Sequence, residues 1–229
     1  MTESDWLECA NPERMLDFLG ADATSRKVSL FVAAACRDEW ARRGVERVSK
    51  ALDVLERYFD LQVVEADKLI QAFLGFHGSC TRVHTSHQRD QVDDPYPFSH
   101  VLSVPETRFS GEVTYLRAIH AVQELRRGIP DARIARSRQA ELMREVFGNP
   151  FRPVAIDESC LVWNGAAVSN IAQSVYTSSD FEGLSILADA LEEAGCTDAG
   201  VIQHCRTPGL HVRGCWVIDA VLGNGCPAS

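Results

Sequence analysis

Apolar positions along the chain recur at three- and four-residue spacing, and two-residue alternation bounded by turn residues is scarce, so the sequence predicts a mainly α fold. Pro12 opens a short amphipathic segment, PERMLDFLG, with Gly20 placed to stop it. Thr24 or Ser25 can cap a long segment whose positions Val28, Phe31, Val32, Ala35 and Trp40 share one face, ended by Gly44. Val45, Val48, Leu52, Leu55 and Phe59 repeat the pattern and predict a second long helix, antiparallel to the first.

Periodicity then fails. Gly75, Gly78, a polar run from Thr81 to Asp94 and prolines at 95, 97 and 105 forbid a continuous helix, which predicts a long irregular loop over about 78–110. Helical spacing resumes over 111–127 and 132–147. Next comes GNPFRP, a rigid connector that divides the chain into an N-terminal helical region, 1–147, and a C-terminal one, 148–229, which can also pack as one domain. In the second region, Ser179 or Asp180 can cap FEGLSILADALEEAG, with Gly195 closing it, and Thr197 can cap AGVIQHCR. Pro208 suits the first turn of a last helix, GLHVRGCWVIDAVL, followed by Gly223. The expected architecture is an irregular multi-helix bundle or a set of stacked helical hairpins.

Composition narrows the classes. The chain has 229 residues, 45% hydrophobic and 24% charged, which suits a globular protein whose core needs no disulfide staples. The first residues, MTESDWLECANPER, lack the basic and apolar regions of a targeting peptide, and no run is apolar enough to span a membrane, so a cytoplasmic location is expected. In that compartment the eight cysteines stay reduced, as buried apolar groups, metal ligands or reactive thiols. A net charge of −9 argues against nucleic-acid or anionic-lipid partners. Seven arginines between Arg126 and Arg152 precede a stretch, Pro153 to Cys205, with eight acids and no Lys or Arg, a pairing of charges that points inward rather than to RNA.

The blocks WLECANPERMLDFL, SRKVSLFVAAACRDEW, EVFGNPFRPV, LSILADALEEAGCTD and CRTPGLHVRGCWVIDAVLG resemble those of a large paralogous family of mainly helical planctomycete proteins. The resemblance covers both ends of the chain and little of its middle. It implies a helical, cytoplasmic bacterial protein and brings no activity, substrate or catalytic residue. It also marks the histidine-bearing middle as a departure from the family's alanine-rich segment.

Chemistry concentrates near the C-terminus, where Cys196, His204, Cys205, His211, Cys215 and Cys226 crowd together. Four N/S ligands would suit a closed zinc site, although H-C-x5-H-x3-C matches no standard finger. Adjacent helical residues point about 100° apart, so His204 and Cys205 do not both ligate easily. The preferred set is therefore His204, His211, Cys215 and Cys196, with Cys205 as an alternate ligand. The plainer reading makes these residues buried core beside Trp216. A Cys215–His211 dyad is conceivable, but a triad with Asp219 is not, because eight helical residues span about 12 Å. His77, Cys80, His84 and His87 form a second group, read as a solvated loop. No phosphate loop, HExxH, CxxC or GxSxG is present. The expected function is an interaction or scaffold module with a protein partner. The alternative is a metal- or thiol-dependent enzyme built on the C-terminal cluster.

Overall fold

The computed structural model describes residues 1–20, 23–42, 49–61, 119, 123, 126 and 131–224. These residues are mainly helical and contain no strand. The expected loop over 78–110, most of the expected helix over 111–127, the group His77, Cys80, His84 and His87, and Cys226 lie outside the described residues, as do Gly44, Val45 and Val48. The chain divides into two compact units, 1–143 and 144–229, and the division falls inside a helix a few residues before the GNPFRP connector.

The first unit begins with α1 (Glu3–Glu8), which the periodicity did not signal. Thr2 and Asp5 form a reciprocal capping box that satisfies the first free N–H groups, and Trp6 anchors the helix in the core. Helix α2 (Pro12–Leu19) runs as expected from Pro12 to the stop at Gly20, with the Asn11 side chain accepting from Arg14 N at 3.2 Å. Thr24 caps α3 (Ser25–Arg42), which packs on α4 (Ser49–Leu61). The sequence gives α3 one apolar face, yet Leu30 through Cys36 are all buried, so this helix is enclosed on most sides. Charged pairs fasten the hairpin: Arg37 meets Asp53 at 2.7 Å and Glu56 at 3.0 Å, and Arg26 meets Asp60 at 2.7 Å. Helix α5 (Ala132–Phe147) contributes Arg138, whose Nε donates to Asp38 at 2.8 Å, and Gln139, which accepts from Arg126 at 2.8 Å.

The second unit comprises the end of α5, α6 (Glu158–Ser178), a 3-10 turn (Phe181–Gly183), α7 (Leu184–Glu193), α8 (Ala199–Arg206) and α9 (Trp216–Leu222). Helix α6 packs on α7 and α9, and α7 packs on α8. Their apolar faces close one core around Val168, Ala172, Leu187, Leu191, Val201 and Val217. Near its start α6 is broken, because Asn164, Gly165 and Ala166 take left-handed backbone angles, which cost about 1–2 kcal/mol for a residue with a Cβ. Ser169 Oγ donates to the Leu161 carbonyl at 3.2 Å, and Asn170 Nδ2 to that of Gly165 at 3.3 Å, so groups freed by the break regain partners. Gly183 permits a close approach of the 3-10 turn to α6: a Cβ there would sit 2.7 Å from Val175 Cγ2.

Of the expected caps, Asp180 holds the 3-10 turn through Glu182 N, whereas Ser179 ends α6 in a left-handed conformation. Asp198 rather than Thr197 caps α8, accepting from Gly200 N at 2.8 Å and Val201 N at 3.1 Å. Gly195 does close α7, with Cys196 N donating back to Leu191 O at 2.9 Å. The largest correction is the last helix, which begins at Trp216 rather than near Pro208. Gly214 has φ +92 and Cys215 ψ +126, so residues 207–215 form an irregular segment that α9 follows.

Candidate metal centre

Three parts of the second unit deliver side chains to one point. Glu145 comes from the last turn of α5, His204 from the last turn of α8, and His211 and Cys215 from the irregular segment between α8 and α9. One ligand atom from each lies within 4.8 Å of every other, the one such group among the described residues. His204 Nε2 is 3.2 Å from Cys215 Sγ and 3.4 Å from Glu145 Oε2, while His211 Nδ1 is 3.2 Å from Glu145 Oε1. The two imidazoles meet edge to face with centroids 5.0 Å apart.

The structure thus brings together His204, His211 and Cys215, and puts Glu145 beside them. Cys196, the fourth residue of the sequence-based set, lies just beyond α7, half-buried and outside the group. Cys205, the alternate, is turned into the apolar core, where burial first and then the charge of Glu145 push its thiol up to about 12. Asp219 is buried on α9 and is not a member. Glu145 was legible only as an acid three residues beyond Leu142 on the buried side of α5; its partners lie far along the chain.

The surroundings set the charge states. The hydrogen bond to Glu145 raises the His211 pKa above its ordinary value against the opposing effect of burial, and the Thr207 carbonyl, 3.1 Å from Nε2, adds to the rise. Burial lowers His204, with Glu145 pulling the other way. Cys215 is 0% exposed, and burial, followed by the charge of Glu145, holds its thiol well above the ordinary value. The nearby N–H groups of Ile218 and Val217, at the start of α9, offset part of that rise.

These features oppose a thiol nucleophile. The thiol is fully buried, the adjacent carboxylate disfavours a thiolate, and its imidazole partner is His204 rather than His211. In a catalytic triad a carboxylate accepts from the far imidazole nitrogen, whereas here Trp216 Nε1 donates to His204 Nδ1 at 3.2 Å.

The donor set does fit a metal of intermediate softness. Two imidazoles, a carboxylate and a thiol are zinc ligands, and bonds of about 2.0–2.3 Å in a tetrahedron give ligand–ligand edges of about 3.3–3.6 Å. The two contacts of His204 Nε2, 3.2 Å to Cys215 Sγ and 3.4 Å to Glu145 Oε2, approach those edges, and with all four ligand atoms within 4.8 Å of one another a modest movement of side chains would close them on an ion. A neutral His211 that donates its Nε2 proton to the Thr207 carbonyl can turn Nδ1 from Glu145 to an ion, an arrangement common around metal-bound histidine. No family model, curated protein or solved structure matches the chain. No helix among the described residues is long and apolar enough to cross a membrane.

Proposed function

We propose that the unit formed by residues 144–229 is a zinc-clamped helical module that acts by binding a protein partner rather than by catalysis. The observation that carries this reading is the convergence of Glu145, His204, His211 and Cys215 in a closed setting, with side chains 7%, 17%, 12% and 0% exposed. Catalytic zinc keeps an open position for water or substrate, whereas four protein ligands in a sheltered site are the pattern of structural zinc. An ion held here would tie the end of α5 to α8 and to the start of α9. A reducing compartment would keep the Cys215 thiol available as a ligand, in keeping with the cytoplasmic location expected from the sequence.

The partner reading rests on the outer surface of the same unit. Val162 and Ile186 are 64% and 60% exposed, and the stretch from Pro153 to Cys205 carries eight acids, of which Asp189 and Glu192 are bridged by Arg206. Such a surface favours a protein partner with apolar and basic groups over an anionic polymer. The test of the zinc reading is metal content after purification under reducing conditions, together with melting curves before and after chelation. Stoichiometric zinc and a chelator-sensitive melt support it. Protein that takes up no zinc, with an unchanged melt, removes it.

A further inference from the structure

The hydrogen bond from Trp216 to His204 fixes more than the ring orientation. Indole Nε1 is a donor only, so the 3.2 Å contact makes His204 Nδ1 an acceptor and places the proton of the neutral imidazole on Nε2. That nitrogen is the one facing Cys215 Sγ and Glu145 Oε2. A neutral imidazole that ligates through Nε2 must instead carry its proton on Nδ1. It would then direct an N–H at the N–H of Trp216, and two donors at that distance repel. His211 is under no such constraint, because both its partners, the Glu145 carboxylate and the Thr207 carbonyl, are acceptors, and the neutral ring can keep its proton on Nε2 toward the carbonyl and offer Nδ1 to the ion. His211 can therefore present a bare nitrogen without opposing a neighbour, whereas His204 is held in the tautomer that must be given up.

Resting on the zinc reading, we infer that Trp216 is the metal-responsive element of this module: binding of a divalent zinc ion at His204 Nε2 and displacement of the Trp216 indole from His204 Nδ1 are one event. His204 keeps one proton throughout; it leaves Nε2 and Nδ1 gains one by exchange with water, while the Cys215 proton goes to solvent. The indole is well placed to transmit the change. Trp216 is the first residue of α9, and its ring lies over Gly148, just past α5, so closely that a Cβ at Gly148 would sit 3.1 Å from Trp216 Cγ. Loss of the hydrogen bond removes one restraint on the indole beside Gly148, and an ion that favours the released position shifts the population toward it.

The experiment uses the full chain, 15N-labelled and reduced, titrated with zinc chloride while the backbone-assigned Trp216 indole N–H is followed, in parallel with zinc affinity by competition with a chromophoric chelator. The expected result is a Trp216 indole N–H that is hydrogen-bonded in metal-free protein and moves to a new position as zinc saturates the site. Trp216→Phe removes the competing donor and is expected to bind zinc about threefold to tenfold more tightly, the net effect of one such bond. Zinc uptake with an unmoved Trp216 resonance, or with no gain in affinity for a folded Trp216→Phe, overturns the inference and leaves the zinc site standing. If the variant does not fold, the resonance of the unsubstituted chain decides alone. Absence of zinc uptake by both proteins overturns the zinc reading itself and this inference with it. Uptake by Trp216→Phe alone supports the inference, since the indole then blocks the site.

Discussion

His211 Nδ1 lies 3.2 Å from Glu145 Oε1, a contact across 66 positions of the chain that ties the irregular segment before α9 to the end of α5. Because the Thr207 carbonyl faces the other ring nitrogen, Nδ1 is the atom this histidine can give to an ion, and it already faces the carboxylate. Removing it should cost the site both a ligand and an orienting contact. His211→Ala is expected to weaken zinc binding by more than about a hundredfold, since even supporting contacts are commonly worth 10–100-fold. Chelator competition measures the loss, and an unchanged affinity would place the ion elsewhere.

The two cysteines of the sequence-based set should behave differently. Cys215→Ser removes a soft ligand at the centre of the group and should abolish stoichiometric zinc, whereas Cys196→Ser, outside it, should leave zinc content intact. Metal analysis of both variants checks this. Loss of zinc in Cys196→Ser with retention in Cys215→Ser would reverse the assignment.

Glu145 sets the protonation of its neighbours in the metal-free protein. Its hydrogen bond raises His211 and its charge raises Cys215, so Glu145→Gln should lower both, and His211 should fall toward the value burial alone would give. Titration of the His211 ring by NMR, with thiol reactivity of partially unfolded and folded protein as a control, follows the two shifts. A His211 that titrates unchanged would mean that the carboxylate is not its partner.

Zinc binding must compete with protons at Cys215 and His211, both held above their ordinary values, so affinity should rise with pH across about pH 6 to 8. In metal-free protein the histidines act in opposite senses. His211, raised, contributes stability that is complete below its unfolded value of 6.5 and is lost as pH rises through its folded value. His204, lowered, contributes stability present above 6.5 and lost as pH falls through its folded value. The zinc-dependent increment in melting temperature should therefore grow with pH while the metal-free melt changes less. Melts at several pH values, with and without zinc, show whether it does.

The break in α6 offers a test independent of metal. Ala166 has φ +62, a left-handed conformation that glycine adopts without penalty, so Ala166→Gly should stabilise the unit by about 1 kcal/mol. Gly183→Ala should do the reverse, because its Cβ would meet Val175 Cγ2 at 2.7 Å, and overpacking costs about 1–3 kcal/mol. Denaturant titration of the two variants reads both signs.

Local signals carried much of the fold. Pro12, Gly20, Thr24, Asp180, Gly195 and Gly223 all act where short-range capping rules put them, because caps depend on a few neighbouring residues. The segment from Pro208 to Cys215 misled for the same reason: its apolar spacing suits a helix, but Gly214 takes a left-handed angle that propensity alone does not reveal. That error concealed the basis of the site. His211 and Cys215 are neighbours through an irregular turn rather than along one helix face. Glu145 stayed hidden because its partners are assembled by packing, and a single acid on an apolar helix face does not announce which distant histidines will meet it.

Zinc K-edge absorption spectroscopy of the loaded full chain reads whether one zinc ion sits among Glu145, His204, His211 and Cys215. The expected spectrum is that of a four-coordinate ion with a single sulfur at about 2.3 Å and nitrogen or oxygen neighbours at about 2.0–2.2 Å. A sulfur-free shell, or one with two or more sulfurs, would contradict it.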